Sequence, residues 1–263
     1  MSLDAILRTA LSGLNTNQSA LRTTSQNIAN VNTPGYARQE VVLATASAGG
    51  QSMGVEIGEV RRIVDKFLTK ELIGASAYHG YYEKQTALFD RLVSLFGNPD
   101  DASSLNNQID RMFDAFATLA TDPTQTPRRI GLLSDIQNVA DSLDRYGRQI
   151  LNLRSEADTQ IVSEIATINN ALAQVHSLNN LISHEKETGG NPAALEEQRA
   201  RAIEKISDIV DIRAVEKTNH KVEISTISGL SLLDDRLRVL QYNPPGQVET
   251  TVVFNSITVH HID

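Results

Sequence analysis

The sequence predicts a mainly α fold, an elongated rod of long coiled-coil-like helices with a β-rich segment at its C-terminal end. Three observations carry this. An apolar seam runs from Thr126 to the Gly189-Gly190 pair, and at 1.5 Å per residue a helix of that extent would be roughly 90 Å long, far beyond the diameter of a compact domain. Aromatic residues make up 5% of the chain and Trp is absent, a composition suited to helix packing rather than a thick globular core. After Ile212 the pattern changes to short β-branched runs separated by Gly and Pro turns. The expected organisation is an N-terminal helix with its closing turn over 1–37, an extended or hairpin connector over 38–64, an elongated helical bundle over 65–210, and the beginning of a β-rich domain over 211–263.

The N-terminal segment repeats apolar residues every seven positions at Leu7, Leu14, Leu21 and Ile28, with Leu3, Ala10, Asn17, Thr24 and Val31 as an offset row. Such a narrow seam belongs to a helix that packs against a partner. An isolated helix of this length gains little beyond its nucleation cost, whereas burying four aliphatic side chains at about 1.5 to 3 kcal/mol each reverses that balance. The partner is either another helix of this chain or another subunit. Leu3, Leu7, Leu14, Leu21 and Ile28 are the candidate packing residues.

The helix runs into Asn27-Ile28-Ala29-Asn30-Val31-Asn32-Thr33-Pro34-Gly35-Tyr36-Ala37-Arg38-Gln39. Thr33 to Tyr36 has the form of a type II turn, because Pro presets φ at the second position and Gly accepts positive φ at the third. Asn27, Asn30 and Asn32 carry amides that can cap a helix end and compete with its backbone bonds, so the helix is expected to stop near Val31.

The string from Ser12 to Gln39, SGLNTNQSALRTTSQNIANVNTPGYARQ, resembles the N-terminal signature of the axial flagellar proteins of bacteria, the rod, hook and hook-associated subunits. Tyr36-Ala37-Arg38-Gln39 favours the hook-filament junction branch, since rod and hook subunits usually diverge after the Pro-Gly. Two later stretches resemble the same family: LFGNPDDASSLNNQIDRMFDAFATLATDPTQTPRR within Leu95 to Leu143, and LEEQRARAIEKISDIVDIRAVEKTNHKVEISTISGLSLL from Leu195. The resemblance implies a structural subunit that joins hook to filament, with Asn27, Asn30, Asn32, Pro34, Gly35, Tyr36, Arg38 and Gln39 as signature-turn residues. It also implies the hook protein and other hook-associated proteins as partners, self-association in a ring or helical tube, and an extracellular place in the flagellum reached through the flagellar type III export apparatus. An export chaperone is a further implied partner, although the C-terminal site expected for it in the family is not in this sequence. Family members carry a second amphipathic helix at the C-terminus, whereas Ile257 to Asp263 reads as a strand. The chain therefore reads as an N-terminal portion or a shortened member.

Between Arg38 and Val60 the β-branched pair Val41-Val42, the alternating Val55, Ile57 and Val60, and several glycines predict a hairpin-like connector in which the glycines supply flexibility. Helical periodicity resumes at Asp65 through Leu68, Leu72, Ala75, Tyr82, Phe89, Leu92 and Phe96 and stops at Gly97-Asn98-Pro99. A second helix starts among Asp101, Ser103 and Ser104, carries Leu105, Ile109, Met112, Phe116 and Leu119, and ends at Thr121-Asp122-Pro123. The longest helix opens at Thr126-Pro127 and carries a seam through Leu133, Ile136, Ala140, Leu143, Ile150, Ala157, Ile161, Ile168, Val175 and Ile182. Gly147 and Arg154 interrupt that seam, which predicts a kink or a change of partner between Tyr146 and Arg154. A shorter helix follows with Leu195, Arg199, Ala202, Ile206 and Ile209 on one face, and with Glu196, Glu197, Arg201 and Glu204 read as a solvated outer face. Strands are expected at 212–215, 221–225, 237–241 and 248–254.

The remaining composition narrows the function classes. A net charge of −8, with Arg61-Arg62 and Arg128-Arg129 as isolated, solvated pairs, speaks against a nucleic-acid partner, which requires a basic stripe. No apolar run approaches the about 18 residues needed to span a bilayer, so no membrane role is read. The N-terminus lacks the basic and apolar regions of a cleaved signal peptide. No Cys is present, and none of the six histidines has zinc-protease spacing, so no catalytic residue, metal site or cofactor is read from the sequence. A coiled-coil adaptor or scaffold without flagellar assembly is the alternative reading; it shares the long heptads but needs no Asn-Thr-Pro-Gly-Tyr signature. An enzyme with an unrecognised site is the third class.

Overall fold

The computed structural model describes residues 3–33, 35–48, 51–98, 100–101, 103–246 and 253–261. Helix α1 (Leu3–Ala29) is followed by a hairpin of strands β1 (Gln39–Ala48) and β2 (Gln51–Arg62). Helices α2 (Lys66–Phe96), α3 (Leu105–Thr121), α4 (Thr126–Glu187) and α5 (Ala193–Ser207) come next, and then strands β3 (Ile212–Glu216), β4 (Val222–Thr226), β5 (Ser231–Leu233), β6 (Arg238–Gln241) and β7 (Thr258–His261). The fold is mainly α, as expected. β3, β4 and β5 form an antiparallel sheet in chain order, and β6 pairs with β7. Of the four expected strands, the one at 248–254 lies largely outside the described residues, and its described end at Val253 and Phe254 is not regular strand. Among the described residues no helix is long and apolar enough to cross a membrane.

Local chemistry sets the helix ends. Asp65 accepts from the backbone N–H of Phe67 at 2.9 Å and of Leu68 at 3.1 Å, satisfying two donors of the first turn of α2. Ser104 caps α3 by accepting from the Asn107 N–H. Gly189 takes a φ of +74° just past α4, where its N–H and that of Gly190 satisfy the carbonyls of Lys186 and Glu185. Arg128 and Arg129, expected to be merely solvated, instead bind the other end of α3. Arg128 donates to the Thr118 carbonyl at 3.0 Å and Arg129 to the Pro123 carbonyl at 2.8 Å, where cations complement unpaired carbonyls.

The chain divides into two compact units. The first comprises Met1–Gly80, Ala166–Gln241 and Val259–Asp263. Its core joins Leu172, Val175 and Ile182 of α4 to Ala202 and Ile206 of α5 and to Ile212, Ile224, Leu232 and Leu233 of the sheet. Asn179, buried on α4, holds β4 in place: its amide donates to the Val222 carbonyl at 2.9 Å while its oxygen accepts from the Val222 N–H at 3.0 Å. The same oxygen accepts from Arg199, whose guanidinium also reaches the His220 carbonyl at 2.7 Å and Glu216. Burial lowers the pKa of that guanidinium, and Glu216 and Glu196 partly restore it. Asn169 repeats the arrangement on β6 with both backbone groups of Leu240, at 2.8 and 2.9 Å. Gly80 of α2 abuts the Asp208 carbonyl so closely that an added Cβ would lie 2.1 Å from it.

The second unit comprises Tyr81–Ile165 and Tyr242–Thr258. Its buried row on α4 is Leu132, Val139, Tyr146 and Leu153. The expected seam of Leu133, Ile136, Ala140 and Leu143 is corrected here, since all four are exposed, Leu133 and Leu143 at 59% and 54%. Adjacent apolar residues at 132 and 133 give two stripes of equal periodicity, and the partners choose between them. Phe96 stacks on Tyr146 at a centroid distance of 5.3 Å, and Gln108 accepts from the buried Ser142 hydroxyl at 2.7 Å. The helix continues unbroken through Tyr146 to Arg154, and the buried row changes only after Leu153. On α2, Leu68, Leu72, Tyr82 and Phe89 are exposed, while the buried positions are the small Ala77 and Gly80.

Two outcomes are expected from these contacts. Asn179→Ala orphans both backbone groups of Val222, at about 1 to 3 kcal/mol for each buried group left unpaired, and lowers the denaturant midpoint accordingly. An unchanged midpoint would show that the side chain does not anchor β4. Tyr242 donates a hydrogen bond to Asp158, and its pKa is pushed from the ordinary 10.0 up to about 12 by burial and then by that carboxylate. The folded state keeps this proton where the unfolded chain loses it, so the associated stability is complete below pH 10 and drains away as the pH rises to about 12. Tyr242→Phe should flatten that alkaline slope in denaturation midpoints taken across the window.

Candidate functional site

At 100° per residue, Thr9, Ser12, Thr16, Thr23 and Asn27 of α1 lie on the side of the helix opposite Leu7, Leu14, Leu21 and Ile28. The polar side faces the chain's own hairpin. Thr16 and Thr23 are buried at 5% and 8% exposure, whereas Leu7, Leu14, Leu21 and Ile28 remain 56% to 70% exposed and Leu3 82%. This inverts the usual amphipathic arrangement. Thr16 satisfies its hydroxyl on the carbonyls of Ser12 and Gly13, both at 3.0 Å, so it can be covered without an unpaired donor.

Close approach of helix to hairpin depends on β2. Gly54 has a φ of +122°, and a Cβ there would fall 2.2 Å from the Ser12 hydroxyl oxygen. That hydroxyl donates to the Thr9 carbonyl at 2.9 Å and accepts from the Val55 N–H at 3.2 Å. The register of the hairpin slips beside Gly54 and again beside Gly58, which turns backbone groups out of the ladder. Flexibility is therefore not what Gly54 provides; it provides room.

The turn is held by Asn27. Its amide donates to the Gln39 carbonyl at 2.8 Å, and its oxygen accepts from the Gln39 N–H at 2.9 Å and from the Tyr36 hydroxyl at 2.8 Å. Burial, and then the nearby Glu197 carboxylate, raises the Tyr36 pKa. Asn30 points back along the helix to the Gln26 carbonyl at 2.9 Å and accepts from the Thr33 hydroxyl at 3.3 Å. Asn32 is exposed. The Thr33 carbonyl accepts from the Tyr36 N–H at 3.2 Å and Gly35 has a φ of +75°, the values of the third residue of a type II turn. Pro34 lies outside the described residues. Arg38 is exposed, and its carbonyl receives the Ile63 N–H at 2.8 Å, while Gln39 begins β1 opposite Arg62.

A charged cluster stands beside the turn and corrects two sequence readings. Arg62 is half-buried with its Nε unpaired, and burial lowers its pKa against the raising influence of Glu196 and Glu197. Glu196 pairs with Lys186 at 2.8 Å and Glu197 with Arg201, so these carboxylates are not simply a solvated face. The Arg201 stem reaches the turn itself, lying 3.3 Å from where a Cβ on Gly35 would sit. Among the described residues no group of His, Asp and Glu is placed to hold a metal ion.

The structure brings Asn27, Tyr36 and Gln39 together, leaves the leucine row facing outward, and sends Asn30 elsewhere. Periodicity reasoning passed over Thr9, Thr16 and Thr23. Their signal was present as a seven-residue repeat, but Thr is not scored as a packing residue. Gly35→Val places a β-branched residue at positive φ against Arg201 and should cost on the order of 1 to 3 kcal/mol. Normal melting of that variant would mean that the turn tolerates another conformation.

Residues 89–258 match the family model of the flagellar hook-associated protein FlgK helical domain, and residues 7–36 match that of the flagella basal body rod protein. The chain is similar to flagellar hook-associated protein 1 of Salmonella typhimurium, 31% identical over 245 residues that cover 88% of this chain and 43% of that protein. The Escherichia coli protein of the same name is 30% identical over the same shares, and the Bacillus subtilis one is 29% identical over 219 residues, 79% of this chain and 43% of that protein. The chain thus spans 43% of the length of the curated relatives it matches. With the helical-domain model matching more than half of its residues, the chain belongs to the flagellar hook-associated protein FlgK family.

Proposed function

We propose that this chain is a structural subunit of the bacterial flagellum, placed where hook joins filament, and that it assembles through the outward leucine row of α1. The observation that carries this reading is the inverted helix. A Thr- and Ser-lined face is covered by the chain's own hairpin, while Leu3, Leu7, Leu14, Leu21 and Ile28 face outward at 56% exposure or more. Covering that row in a helical tube would remove several aliphatic side chains from water, at about 1.5 to 3 kcal/mol each, and would favour association strongly. Partners in this reading are the hook protein, other hook-associated proteins and further copies of the chain in a ring or tube. The work done is mechanical: packed helices pass torque from one subunit to the next.

The same reading places the chain outside the cell, exported by the flagellar type III apparatus without a cleaved signal. An enzymatic role is not part of it. The adaptor alternative accounts for the long helices but gives no reason for the turn from Asn27 to Gln39 or for the outward leucine row.

Leu14→Asp should abolish incorporation of the chain at the tips of purified hooks while leaving helical content over residues 65 to 188 unchanged by circular dichroism. Incorporation at the normal level would remove the leucine row from the assembly surface. A chain that ignores hooks but self-associates through its long helices would put the adaptor reading in its place.

A further inference from the structure

We draw no further inference here: the strongest candidate, the apolar surface that Phe113 and Phe116 of α3 and Leu133 and Leu143 of α4 leave exposed in the second unit, carries none because nothing in the structure shows what covers it.

Discussion

A helical asparagine that takes the place of a neighbouring strand is the interaction on which much of the first unit depends. Asn27, Asn169 and Asn179 each meet both backbone groups of one residue, in Gln39, Leu240 and Val222 respectively. A primary amide has one donor edge and one acceptor edge, so it reproduces the pairing that an adjacent strand would supply. Strands β1, β4 and β6 would otherwise present unmatched groups at these positions to a helix surface that has no free backbone to offer. Each amide therefore joins a helix to a strand at a defined register. Apolar packing alone would allow the strand to slide.

At the N-terminus the same device has a consequence for the surface. Asn27 and the Ser12–Gly54 contact hold the two ends of the docked face, and Thr16 and Thr23 fill it with hydroxyls that satisfy themselves or are covered. Because docking uses polar and small side chains, none of the long aliphatic ones is consumed. The apolar row is left as a continuous strip on the far side, and the hydrophobic driving force remains available for a second partner. A helix that packed its leucines internally would have been more stable alone and would have had nothing to offer. Beside it, the aliphatic stem of Arg201 on α5 lies against the turn at Gly35, and the half-buried Arg62 stands in the field of Glu196 and Glu197.

Helix existence and helix ends were legible because they rest on local chemistry: Asp65, Ser104 and Gly189 act within a turn of where they sit. The sheet strands β3, β4 and β6 were legible for the same reason. Which stripe of a helix is buried was less so. On α4 the adjacent Leu132 and Leu133 carry equal periodic signals, and only Phe96 and the α3 side chains distinguish them. On α2 the exposed Leu68, Leu72, Tyr82 and Phe89 gave the stronger signal, while contact is made through Ala77 and Gly80, whose value is their small size.

By itself, then, the sequence determined the helix and turn grammar of the chain, the leucine row, the positive φ of Gly35 and the family signature, all of which depend on residues close to one another along the backbone. Tertiary structure decided which face of α1 stays inside, that Asn27 reaches Gln39 instead of capping its own helix, and that Gly54 makes room for Ser12. Those outcomes depend on pairs of residues far apart in the chain. The free energy of such a pair exists only once both surfaces are formed and water has been removed from between them.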